Sequence, residues 1–181
     1  MKTVPALQQF IEEIASVHAF DLSPTAAYLC LEVDGYRLVL ENIGASRISI
    51  ACQLLVFDEW TADPEIVIWT GYYPTRNVSE REGNQWVPIA LNQIHDGWHA
   101  CAEIDGNGML TDFYQRRWQA TLAGYIEQTV VPNLLRQGWL EKGVQSDEPP
   151  PTYTLEQLRE RGYLVEGESF SVSEEPDDIP F

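Results

Sequence analysis

The stretch Trp69-Thr70-Gly71-Tyr72-Tyr73-Pro74-Thr75-Arg76, continuing to Arg81 and Trp86, interleaves aromatic rings with guanidinium groups. That combination suits single-stranded DNA, because rings stack on bases and guanidiniums hold phosphates. A long hairpin arm would present it. Glu80 and Glu82 flank Arg81 and dilute the local charge. The competing reading is therefore an ordinary hairpin whose aromatics fold back on the core. Arg37 and Arg47, on neighbouring expected strands, either extend a contact surface or stand as solvated strand positions.

Other candidate chemistry is weaker. His95, His99 and Cys101 would share a face if they lay on one strand. His95 falls in a turn signal, however, and no fourth ligand stands at zinc spacing. Asp105, Asn107 and Asp112 loosely match a calcium loop that lacks its twelfth-position Glu. Gly106-Asn107-Gly108 reads as a turn, since neither a Lys-Ser/Thr pair nor an immediate helix follows. No nucleophile–base–orienter pattern stands out. The expectation is a protein that is not an enzyme and uses no metal or cofactor.

The end of the chain carries a sharper signal. Glu174-Glu175-Pro176-Asp177-Asp178-Ile179-Pro180-Phe181 closes an acidic, proline-dotted tail on an aromatic ring beside a free carboxylate. A solubility tail has no physical need for Ile179, Pro180 and Phe181, since disordered acidic segments avoid large hydrophobes. The pattern reads as a tethered peptide ligand. Pro180 lowers the entropy lost on docking. Phe181 fills a small apolar pocket, and its carboxylate meets an Arg or a backbone nest. The acids at 174, 175, 177 and 178 steer the peptide toward a basic rim.

Asp177-Asp178-Ile179-Pro180-Phe181 resembles, residue for residue, the C-terminal tip of bacterial single-stranded DNA-binding proteins. The resemblance covers about the last eight residues. It implies docking onto replication, recombination and repair proteins, with Pro180 and Phe181 in the partner's pocket and the Asp pair on its basic rim. The body does not share the family's five-stranded oligonucleotide-binding barrel.

Composition frames both readings. A chain of 181 residues with 44% hydrophobic residues supports one globular domain and a tail. The formal net charge is −17. Residues 144–181 hold ten acids against two bases, and the rest of the chain eighteen against nine. An acidic body argues against a broad phosphate-binding face and fits DNA mimicry or a basic protein partner. No signal peptide or membrane span is legible, and three widely spaced cysteines fit buried free thiols in a reducing compartment. A cytoplasmic protein is expected.

Positioning falls to an α+β fold: an antiparallel β-meander covered by two long helices. Residues 3–18 read as an amphipathic helix with Pro5 in its first turn. Strands are expected over 28–33, 36–42, 47–57, 65–70, 85–93 and 98–104, with a short one at 109–110. Asp34-Gly35 makes the first hairpin, Asp63-Pro64 marks another turn, and Pro88 suits an edge or a bulge. Thr111 or Asp112 caps a second long helix, which Pro132 kinks or restarts and Gly138 closes. The domain is expected to span 1–143. Residues 144–181 then form an acidic linker, a short helix from the capping box at Thr154 and Gln157, and a disordered stretch from Glu166.

The body also resembles, faintly, uncharacterised domains of plasmids and integrative elements. The points of similarity are Gly35-Tyr36-Arg37-Leu38, Asp63-Pro64-Glu65, Trp86-Val87-Pro88-Ile89 and Arg136-Gln137-Gly138-Trp139. That group brings no activity with it. The functional expectation is thus an accessory protein, bound to or associated with single-stranded DNA, that recruits replication and repair partners through its tip. Homo-oligomerisation through strand edges would add avidity. The alternative is an acidic adaptor or mimic that occupies tip-binding pockets without touching DNA.

Overall fold

The structure, a computed structural model, describes residues 1–71, 85–105, 107–113 and 115–146. Within them the chain is α+β, built on an antiparallel sheet of seven strands. The strands are β1 (Tyr28–Val33), β2 (Tyr36–Gly44), β3 (Arg47–Val56), β4 (Glu59–Trp69), β5 (Val87–Gln93), β6 (Gly97–Ala100) and β9 (Val144–Gln145). Their spatial order, β6-β5-β4-β3-β2-β1-β9, is a meander closed by a return strand. Asp34-Gly35 turns β1 into β2 with both residues at positive φ, and places Val33 opposite Tyr36.

Alternation along the strands sorts the core. Leu29, Leu31, Leu38, Leu40, Ile48, Ile50, Ile66 and Ile68 pack with helical residues in the main cluster. Helix α1 (Pro5–Val17) buries Leu7, Phe10, Ile11 and Ile14 there, the stripe its sequence spacing calls for. Val67 and Trp69 alternate with Ile66 and Ile68, so they face the other way. They join Val87, Ile89, Cys101, Ala102 and Ile104 in a second cluster. That cluster is roofed by a separate two-stranded sheet of β7 (Ala102–Ile104) and β8 (Leu110–Phe113).

Several expectations are corrected. In place of two long helices there is the thirteen-residue α1 and one joined helical region of real length. That region runs through α2 (Arg116–Tyr125), a π-helical turn (Ile126–Val130), α3 (Val131–Gln137) and α4 (Trp139–Lys142). Thr111 and Asp112 do not cap it, because they are spent in β8 and Gln115 stands at the cap position. Pro132 follows directly on the π-helical turn, where the chain restarts as α3 in continuous right-handed backbone, and Gly138 ends that helix in the left-handed conformation.

Asp63-Pro64 is not a turn but lies inside β4, opposite a register shift between Ala51 and Gln53. The turn is at Phe57-Asp58. The expected strand over 98–104 breaks at Cys101 into β6 and β7. Pro88 sits at a bulge against Ile68. The sheet also reaches past the expected boundary at 143: Val144 and Gln145 pair with Glu32 and Leu31. No helix among the described residues is long and apolar enough to cross a membrane.

Candidate functional site

Of the eight residues read as a DNA-contact surface, four are described, and all four are buried. Trp69 is fully enclosed, and its indole Nε1–H donates to the Gly108 carbonyl at 2.8 Å. This bond ties the end of β4 to the β7–β8 turn. Two glycines make room for it. A Cβ on Gly71 would stand 2.4 Å from the Trp69 ring, and one on Gly108 would stand 2.9 Å from the Ala45 backbone. Gly108 also has φ +78, which side chains rarely adopt. Trp86 lies in the main core, and its carbonyl accepts the Val4 N–H. Neither indole presents a face to solvent.

Arg37 and Arg47 are neither an open contact surface nor solvated. Arg37 lies 4.0 Å over the Trp60 ring and meets the Glu32 carboxylate at 2.7 Å. Arg47 is 4% exposed and donates to the Gly44 carbonyl. Tyr72, Tyr73, Arg76 and Arg81 lie outside the described residues, as do Glu174, Glu175, Asp177, Asp178, Ile179, Pro180 and Phe181. The capping box at Thr154 also lies there.

A cleft of about 510 Å³ lies between α1, the loop before β1 and the ends of β2 and β4, with Gly71 and Trp86 in its lining. Ile11, Ala15, Leu22, Ile48 and Trp86 give it an apolar floor. Glu12, Ser23, Thr25, Asn42, Ser46 and Thr70 supply polar groups. Much of that polarity is already engaged. The Asn42 amide donates to the carbonyls of Leu22 and Ser23 and accepts the Gly44 N–H. Thr70 donates both its N–H and its hydroxyl to the Ser46 carbonyl. On the rim, the Ser23 backbone N–H holds the Asp21 carboxyl below its usual range, helped by the Ser23 hydroxyl. This arrangement suits binding by burial and hydrogen bonding.

The remaining candidates divide among local roles. The His99 ring bonds the Asp96 carbonyl and stacks at a tilt against Trp118, while His95 is exposed in a turn. Cys101 is enclosed and donates to the Ile89 carbonyl, and burial pushes its thiol up to about 12. Asp105 accepts the N–H groups of Asn107 and Met109, a turn-capping role. No group of three His, Cys, Asp or Glu capable of holding a metal forms among the described residues.

One half-buried polar cluster was not foreseen. Burial, with Asp63 nearby, pushes the Cys52 thiol up to about 12. Burial, Asp63 and Cys52 also raise Tyr125, whose hydroxyl accepts from Gln93 at 3.3 Å. The π-helical turn begins one residue later. Sequence spacing could not reveal this group, because it joins residues of β3, β4, β5 and α2 that are far apart in the chain. Comparison with family models, curated proteins and solved structures found no match to this chain.

Proposed function

We propose that this protein is an accessory of single-stranded DNA metabolism that recruits replication, recombination and repair proteins through Asp177-Asp178-Ile179-Pro180-Phe181. The observation that carries the proposal is the identity of those five residues, in order, with the tip of bacterial single-stranded DNA-binding proteins. Its mechanism is tethering: the acidic segment steers, Phe181 anchors, and the linker sets the effective concentration. The return strand supports the geometry. Val144 and Gln145 pair with β1 at one edge of the sheet, in the last described strand before the acidic segment begins.

A second reading is favoured by burial. Trp69, Trp86, Arg37 and Arg47 serve the fold, and the chain carries a net charge of −17. On this reading the body is an adaptor or mimic that engages tip-binding pockets and leaves DNA alone.

Fluorescence anisotropy of a labelled oligo-dT strand separates the two. The full chain and a chain ending at Ser173 are titrated at low and moderate salt. In the first reading both bind, the shorter one more tightly, and affinity falls steeply with salt. In the second, neither binds even at low salt.

A further inference from the structure

Phe57 is 96% exposed at the tip of the β3–β4 hairpin. Two features mark it as more than a stray surface hydrophobe. Its backbone is left-handed, at φ 51, with Asp58 at φ 66. Two-residue hairpin turns of this kind select Asn-Gly or Asp-Gly, because bulky side chains strain at positive φ. The chain has put an aromatic ring where folding alone favours Asn. Such a break of local turn chemistry, without gain to the fold, points to function.

The surroundings define the partner. Leu55, 52% exposed, and Trp60, with Arg37 stacked on it, sit directly behind the tip, since Leu55 pairs with Trp60 across the hairpin. They form an apolar cross-strand pair next to the turn. Asp58 and Glu59 are exposed beside it. Carboxylates there repel phosphates, so the ring is poorly placed to stack on bases. They complement a basic rim around an apolar socket.

We propose that the β3–β4 hairpin tip is a second docking point: Phe57 inserts into an apolar, basic-rimmed pocket of the same protein that takes the Asp177–Phe181 peptide. This inference rests on the proposed recruiting function and deepens it, because two linked anchors bind more tightly than either alone.

The test uses a purified repair protein shown beforehand to bind a synthetic Asp-Asp-Ile-Pro-Phe peptide. Its affinity is measured for the full chain, for Phe57→Asn, for a chain ending at Ser173, and for the two changes combined. Phe57→Asn is expected to weaken binding on the order of tenfold or more while leaving the melting temperature unchanged or raised. The truncated chain is expected to keep weak binding, which Phe57→Asn then removes. Equal affinity of Phe57→Asn and the full chain overturns the hairpin docking point and leaves the recruiting function standing. No binding by the full chain overturns both. A fall of several degrees in melting temperature for Phe57→Asn assigns the ring to the fold and overturns the inference. So does a selective loss of oligo-dT binding, which would make the tip a base-stacking element.

Discussion

The Glu127 carboxylate accepts the Ala6 backbone N–H at 3.1 Å, capping α1 from the π-helical turn. The Leu7 N–H reaches the same carboxylate at 3.3 Å. Helix α1 needs this help: Val4 stands at its cap position with no side-chain bond, and no acid lies in its first turn. Gln119 adds a second clamp by exchanging two hydrogen bonds with the Lys2 backbone. The joined helical region thus holds the chain's N-terminal segment in place. Glu127→Ala is expected to cost about 1–2 kcal/mol, the range for a lost cap, and to lower the melting temperature by several degrees. Thermal unfolding followed by circular dichroism measures it; an unchanged midpoint would remove the cap from the account.

Gly108 and Gly71 are expected to be intolerant of a single methyl group. Gly108→Ala combines a positive φ with a contact to rigid Ala45 backbone, and Gly71→Ala drives a Cβ into the Trp69 ring. Each should cost about 1–3 kcal/mol, within the range for overpacking. Trp69→Phe should cost less than Trp69→Ala, because it keeps a six-membered ring in the site and so leaves a smaller cavity beside the lost bond to Gly108. Urea titration of the four variants tests that order.

Stability is expected to fall with alkaline pH. In the folded chain the Cys52 and Cys101 thiols are raised to about 12. Unfolded, they ionise near about 8.5. The unfolded state therefore loses protons first, and the stability these thiols contribute is full below about pH 8.5 and declines up to about 12. Between pH 9 and 10 wild type should lose stability more steeply than Cys101→Ala, by at most about 1.4 kcal/mol per unit for one thiol. Equal slopes would contradict it. Both thiols should also resist alkylation at neutral pH until the protein unfolds.

The sheet was largely legible from sequence because period-two runs and Asp34-Gly35 mark β1, β2 and most of β3 directly. The β3–β4 turn was not, since Phe57-Asp58 offers a single turn residue, Asp58, beside a bulky aromatic, whereas Asp63-Pro64 offers two and lies within a strand. The break at Cys101 was hidden because Trp98 to Ile104 is uniformly strand-like. Trp69 shows the limit for function. An indole beside arginines reads equally as a stacking platform or as core, and only the approach of Gly108, 39 positions away, decides its burial. Arg37 and Arg47 were ambiguous for the same reason: their partners Glu32 and Gly44 are set by strand register and turn geometry. The peptide at 177–181 lies outside the described residues, so its reading rests on residue order and composition alone.

The recruiting account is tested most directly by removing Phe181 alone. The measurement is displacement of a fluorescent Asp-Asp-Ile-Pro-Phe peptide from a repair protein that binds it, with the full chain and the chain lacking Phe181 as competitors. The full chain is expected to displace the peptide. The shortened chain should need at least about tenfold more protein, because its anchor ring is gone. Its melting temperature should not change. Equal displacement by both chains, or none by either, would contradict the claim that this protein recruits its partners through its tip.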